Sequence, residues 1–351
     1  MTRKILFFLL ISFSSCSSMN RFLIEVQEPA SVTIPVSAQN VLILNNTTTQ
    51  PETFEIEITL DEKPIPEAYS SSLDSMVWSA IDKIADVLNE SNFFNTIAIY
   101  RKPIRNDTEW LSLNNLSPEQ QYDFYDNENI DALFVIEQLL FNLKEDIKII
   151  NSSPDYSKQN AFVVLRAYGI ITCSMYTYGN EKPLITFQVS DSIFENSLVY
   201  NNSITLFKLT PYLILKELSR ILGNKAAKRF IPTWNTKERI LFVGYNSRMR
   251  EAAVYATKSR WANAESIWIT ELGKKSKPTK KAKITYNLAV VNEVQDKLEQ
   301  AMEWAQKSKE YLKNANKNNS SKEIKHTDNY IFELEQRIQN NHLLNIQWGK
   351  E

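Results

Sequence analysis

The side chains that most often do chemistry are few in this chain, so each can be weighed singly. Its two histidines, His326 and His342, lie 16 positions apart near the C-terminus. That spacing excludes an H-E-x-x-H zinc motif, and a His-dependent triad would have to use one of them. Cys173 with two such histidines has no recognised zinc-ligand spacing. The six glycines, at 169, 179, 223, 244, 273 and 349, are nowhere closer than ten positions. This excludes a Walker A loop, a dinucleotide fingerprint and a nucleophile elbow. A carboxylate pair is the remaining enzyme chemistry. Asp82 and Asp86 fall on the polar face of an amphipathic helix, where solvated charge is the ordinary reading. Glu137 interrupts the apolar run Ala132–Phe141, and Arg166 interrupts another strand. An unpaired buried carboxylate costs several kcal/mol. The two are therefore expected to form a buried ion pair across neighbouring strands, or each to reach the sheet's rim. A ligand-binding carboxylate at Glu137 is the alternative. No catalytic, cofactor-binding or metal-ligating residue is assigned, no cofactor is expected, and the chain is read as non-enzymatic.

The elements that would position these groups divide the 351 residues into about two domains. Residues 41–240 read as an α+β domain, a mixed sheet with packed helices. Phe22–Val26 and Val41–Leu44 are strand signals. Leu73, Met76, Val77, Ala80, Ile81, Ile84 and Leu88 recur at helical spacing, with Ser72 available as N-cap. Thr96–Tyr100 reads as a strand, Pro118 opens a short polar helix, and Asp131–Phe141 is a central strand. From Ala161 to Tyr178 strict alternation puts Val163, Leu165, Ala167, Gly169, Ile171, Cys173 and Met175 on the core face of a long strand. Cys173 is there a buried small hydrophobe rather than a nucleophile. Gly179-Asn180 turns the chain into a returning arm at Leu184–Val189. A last helix is framed by Thr210 as cap, Pro211 at N1 and Gly223 at C′.

Residues 245–351 read as an all-α, tetratricopeptide-like domain. Ala252 and Leu288-Ala289 begin two copies whose second helices carry Ala264, Trp268 and Glu271, then Ala301, Ala305 and Ser308. Ala252 to Ala289 and Ala264 to Ala301 are both 37 positions apart, against a usual period of about 34. The lysine-rich stretch Lys274–Lys283 is expected to be the linker holding the extra residues. Asn314–Ser321 reads as a loop, and Asp328–Leu344 as a capping helix. Six lysines fall in 274–283. They read as solvated linker charge, with attraction to anionic head groups as the alternative.

The N-terminus reads as an address. Arg3 and Lys4 precede the apolar run Ile5–Ile11, and Ser14-Ser15 precede Cys16. Residues 1–15 make a secretory signal peptide too short to span a bilayer. Cys16 resembles the lipidated cysteine of a bacterial lipobox, so residues 16–40 would be a lipidated tether and first strand. No acidic cluster follows it, which suits a periplasm-facing anchor, on the outer membrane in preference to the inner.

Arg229-Phe230-Ile231-Pro232-Thr233-Trp234, with Arg239 and the helical repeats behind it, resembles an uncharacterised Bacteroidetes lipoprotein family, a domain of unknown function. The order of elements before it is loosely similar to the N-terminal domain of TolB and to curli-secretion lipoproteins. Asp74-Ser75-Met76 and Asp191-Ser192-Ile193 resemble the O-glycosylation signal of Bacteroidetes, with Ser192 the better acceptor. The first resemblance carries no established activity, and the second bears on fold more than on function. The expected function is a non-catalytic periplasmic scaffold or adaptor holding a protein or peptide partner, with Trp261, Tyr286, Trp304 and Tyr311 as candidate anchors where exposed. An oligomeric secretion or envelope-assembly component and a carboxylate-dependent glycan hydrolase are the alternatives. Nucleic acid is not an expected partner of an exported chain with 40 basic and 41 acidic residues.

Overall fold

The structure is a computed structural model that describes residues 19–51, 53–60, 63–70, 73–105, 107–151, 160–199, 211–244, 246–315 and 321–350. The signal peptide, Cys16, the caps expected at Ser72 and Thr210, and most of the Asn314–Ser321 loop lie outside the described residues. Two compact units emerge. One holds the chain through Glu28 together with Trp234–Leu343, and the other holds Pro29–Thr233 with Leu344–Glu351.

The second unit is a mixed α/β sheet domain. Its elements in chain order begin with β2 (Asn40–Asn45), β3 (Thr53–Leu60), β4 (Lys63–Ser70), α1 (Asp74–Glu90), β5 (Thr96–Ile99) and α2 (Pro118–Glu128). They continue with β6 (Ala132–Asn151), β7 (Asn160–Thr177), β8 (Ile185–Val199) and α3 (Pro211–Ala227). Strand β6 has 20 residues, twice the stretch its apolar run suggests. Antiparallel β7 lies along one edge and β8 continues beyond it. The length of β6 lets its other edge serve two neighbours. Val41–Asn45 of β2 run parallel to Ala132–Ile136, and Glu57–Leu60 of β3 run parallel to Lys144–Ile147. Period two then sorts side chains to two faces. Phe134, Ile136, Leu165, Ala167, Ile171, Cys173 and Met175 pack beneath α1 and α3. Leu133, Val135 and Tyr176 pack with Tyr125 of α2 on the other face.

Three local readings are corrected here. Helix α1 is capped at Leu73 with no side-chain bond. Helix α2 carries instead the full capping box, Ser117 with Gln120. Gly223 is not a helix terminator. Helix α3 runs four residues past it to Ala227, and a Cβ at Gly223 would meet the carbonyl oxygen of Ala80 in α1 at 2.5 Å. The glycine is there for the approach of two helices. Strands β3 and β4 were not anticipated at all.

The first unit joins β1 (Met19–Glu28) and β9 (Thr233–Phe242), paired as a two-stranded ribbon, to an all-helical region of five helices. These are α4 (Ser247–Thr257), α5 (Trp261–Gly273), α6 (Pro278–Val294), α7 (Leu298–Asn314) and α8 (Lys322–Gln347). The first strand thus belongs with the helices rather than with the sheet domain. Helices α4 and α5, α5 and α6, and α6 and α7 pack in chain order. Every residue from Ile284 to Glu293 in α6 is buried, so α6 is a core helix rather than an amphipathic surface one. The small residues Ala252, Ala264, Ala289, Ala301 and Ala305 are fully buried around Trp268. The lysine-rich stretch is only in part a linker: Pro278 already opens α6, and Lys280 pairs with Glu271 at 3.0 Å.

Candidate functional site

The Glu137 carboxyl sits at a β-bulge in β6, between the pairs Ile136–Cys173 and Gln138–Thr172. It is 2% exposed on the α2 face of the sheet. Arg166 does not reach it. Its register partners are Lys144 and Phe194, seven residues down β7 from Cys173, or roughly 23 Å at strand rise. Arg166 pairs instead with Asp146. The expected Glu137–Arg166 ion pair is therefore wrong, because alternation fixes a side chain's face but not its position along a 20-residue strand.

Glu137 is held by an amide. Asn46 Nδ2 donates to Glu137 Oε2 and to the Asn114 carbonyl, both at 2.6 Å. Gln138 Nε2 donates to the Leu111 carbonyl at 2.9 Å. Arg105 donates to both oxygens of Asp107 and to the carbonyls of Glu109 and Ser112. Thr48 Oγ1 donates to the Asp107 carbonyl. The bonds from Asn46, Thr48 and Gln138 tie residues 107–114 to the chain beside the carboxyl. Burial raises the Glu137 pKa from its ordinary value, against the smaller opposing effects of Asn46, Ser174, Arg105 and Tyr176. Ser174 and Tyr176 also stand close enough to Glu137 to favour its charged form, while the Tyr125 hydroxyl is buried without a hydrogen-bond partner. Chemically this is one buried carboxyl whose charged form burial disfavours, with the Tyr176 phenol beside it.

The helical unit carries a denser polar centre that the sequence reading did not assemble. Arg239 of β9 donates from Nε and Nη2 to the two oxygens of Glu293 at 2.7 and 2.8 Å, and from Nη1 to Glu333 at 2.7 Å. Arg337 Nη1 and the Tyr330 hydroxyl add bonds to Glu293 at 3.0 and 2.8 Å. Two arginines thus face two glutamates, and the buried carboxyl of Glu293 is both ion-paired and hydrogen-bonded, as a buried acidic side chain requires. Nearby Asn287 bonds both the N–H and the C=O of Phe242 at 2.8 Å, tying the end of β9 to α6. The sequence signal was available: Glu293 interrupts an apolar run of α6 much as Glu137 interrupts β6. An open cleft of about 190 Å³ lies beside this centre, lined by Val26, Glu28, Lys237, Phe332 and Arg337 among others.

The expected partner anchors separate. Tyr286 is 2% exposed and its hydroxyl bonds His326 Nε2 at 2.8 Å, so it is core and cannot anchor a partner. Burial lowers the pKa of His326, and the imidazole serves packing. Trp261 is half-buried and rests on Phe22, with ring centroids 5.9 Å apart. Trp304 and Tyr311 are half-buried, with Lys307 and Lys281 over their rings at 4.4 and 5.7 Å. Cys173 is fully buried, and burial pushes its thiol pKa well up. Among the described residues no group of three or more acidic, Cys or His side chains is placed to hold a metal ion. Ser192 is exposed on β8, whereas Ser75 is half-buried in α1.

The chain resembles a neuraminyllactose-binding hemagglutinin homolog from Helicobacter pylori, with 10% identity over 57% of this chain and 82% of that one, at a TM-score of 0.22. Protein XCC0632 from Xanthomonas campestris, of the DUF330 family, matches with 10% identity over 54% and 81%, at a TM-score of 0.20. Lipoprotein GNA1162 from Neisseria meningitidis matches with 13% identity over 54% and 98%, at a TM-score of 0.19. No curated protein matches. Residues 250–336 match a domain of unknown function, DUF6340. Residues 38–242, more than half of the chain, match another, and the protein accordingly belongs to the DUF8603 family, a domain of unknown function.

Proposed function

We propose that this is a non-catalytic lipoprotein of the bacterial envelope, anchored through Cys16, whose stacked helices hold a protein partner. The observation that carries the reading is the succession α4 on α5, α5 on α6 and α6 on α7. Successive packing of this kind is what a short tetratricopeptide-like module would need in order to present a groove for peptide segments. Half-buried Trp261, Trp304 and Tyr311 are the anchors, because each has an apolar body already fixed in place and an exposed remainder. The polar centre around Arg239 supports the same reading, since its charges are spent on one another. No helix among the described residues is long and apolar enough to cross a membrane, and an acylated Cys16 would supply attachment without one. Only Ser17 and Ser18 separate Cys16 from β1, so the acyl chains would hold the helical unit within about 10 Å of the bilayer.

Two measurements test this. The Cys16→Ser chain should leave the membrane fraction. In affinity capture from envelope extracts, the full chain should retain a partner that the Trp261→Ala/Trp304→Ala double variant loses while keeping its circular dichroism. An identical captured set for both chains refutes the adaptor, and a membrane-bound Cys16→Ser chain refutes the anchor.

A further inference from the structure

Strand β1 pairs with β9 and with no other strand among the described residues. Over Arg21–Glu25 its second edge thus has no strand partner among the described residues. Such an edge is a template for another strand unless something blunts it. A groove of about 410 Å³ is lined by Phe22, Leu23, Ile24 and Glu25 of β1 together with Trp261 and Arg337 among others.

The outward face of β1 reads Arg21, Leu23, Glu25, all exposed, with Leu23 at 68%. Natural edges are usually guarded by like charges, often lysines, which repel a second copy. Here the two charges flanking the apolar residue have opposite sign. An antiparallel pairing of β1 with β1 of a second copy, centred on Leu23, sets Leu23 against Leu23. Arg21 of each copy then stands opposite Glu25 of the other, and Phe22 opposite Ile24. Every cross-strand pair in this register is favourable, and the arrangement closes as a two-fold dimer. Arg21 now bonds Glu238 at 3.0 Å, with both side chains more than half exposed. A pair so solvated contributes little and does not hold Arg21 back.

We infer that the free edge of β1 is a homodimer interface, formed by antiparallel addition of β1 to β1 about Leu23. The inference is independent of the adaptor reading but rests on the membrane anchor at Cys16, which the Cys16→Ser fractionation tests separately. A five-residue strand pair is small by the standard of stable interfaces, so the dimer forms where copies are concentrated, as on a membrane surface.

Site-specific disulfides test the register. Residues directly opposite in an antiparallel pair have Cα atoms about 4.5–5.5 Å apart, within disulfide range. The full chain carrying Leu23→Cys, treated in membranes with a mild oxidant, should run as a covalent dimer on a non-reducing gel. The unsubstituted chain, with Cys16 and Cys173, is the control. Arg21→Cys should crosslink to a co-expressed Glu25→Cys chain but not to itself, since two Arg21 positions stand roughly 14 Å apart along the strands. Adding Arg21→Glu to the Leu23→Cys chain should cut the crosslinked yield about tenfold through two like-charge pairs, and adding Glu25→Arg as well should restore it. A Leu23→Cys yield no higher than the control overturns the proposal, and so does self-crosslinking of Arg21→Cys. An edge filled by a segment of another protein would give the first of these results.

Discussion

Glu137 and Glu271 are both almost wholly buried, 2% and 1% exposed, and their environments push them in opposite directions. Glu271 accepts bonds from Lys274, Asn246 and Lys280, and its pKa is pushed down to about 2 from 4.5, with the Lys274 bond the largest cause. Glu137 has one amide donor and is pushed up by burial. Linkage fixes the consequence of each. The Glu271 contribution to stability is fully present above pH 4.5 and is lost as the pH falls from there towards 2. Ionisation of Glu137 works against the fold, and stability declines as pH rises above the unfolded carboxylate value of 4.5. Glu271→Gln should therefore cost about 1–3 kcal/mol at neutral pH, and the cost should shrink in acid. Glu137→Gln keeps an oxygen for Asn46 and should be neutral or stabilising at pH 7. Urea unfolding of each variant between pH 2 and 8 checks both. A Glu137→Gln chain weaker than wild type at neutral pH would mean that the ionised carboxylate has a ligand or partner to hold.

Helices and strands differ in what their sequences revealed, and the difference is one of range. Elements whose information is local were legible: the α1 stripe, the β7 alternation, the Gly179-Asn180 turn and the alanines packed around Trp268. Thr53–Leu60 alternates as strictly as β7 and was missed among acidic and polar neighbours, while its partner β4 carries Pro64 and Pro66, residues that argue against a strand. Long-range information was not legible. Nothing local states that Gly223 faces Ala80, that Arg239 meets Glu293, or that Glu137 and Arg166 lie far apart along a strand pair. Gly223 shows how a correct local rule is overridden. Glycine four residues from the end of α3 resembles a terminator, yet its role is to admit the Ala80 carbonyl of α1. Gly223→Ala should then lower stability by about 1–3 kcal/mol, as overpacking does. A glycine serving only as an exposed cap would tolerate alanine or gain from it. Thermal unfolding of the variant separates the two.

At the scale of the whole molecule, the two ends of the chain cross over the boundary that composition suggests. The first strand, β1, completes the helical unit, where Phe22 packs against the Trp268 core together with Ile240 and Phe242. The last eight residues, 344–351, belong to the sheet unit. There Gln347 accepts from the Ala30 N–H at 2.9 Å and donates to the Ala30 carbonyl at 3.0 Å. Trp348 meets Phe93 edge to face at 5.1 Å. Each unit is thus discontinuous in sequence, and a cut near residue 244 does not yield two independent domains. The 245–351 piece would lack both ribbon strands and expose the core face of α6, so it should be poorly folded, with dye binding and a broad unfolding transition. Gln347→Ala leaves two buried backbone groups of Ala30 unpaired and should cost the sheet unit about 1–3 kcal/mol. Removing residues 344–351 should cost more, because the Trp348 packing goes with it. Chemical denaturation of the full chain, Gln347→Ala and the 1–343 truncation gives the order directly. An unchanged midpoint for the truncation would mean that the tail lies on the sheet unit without supporting it.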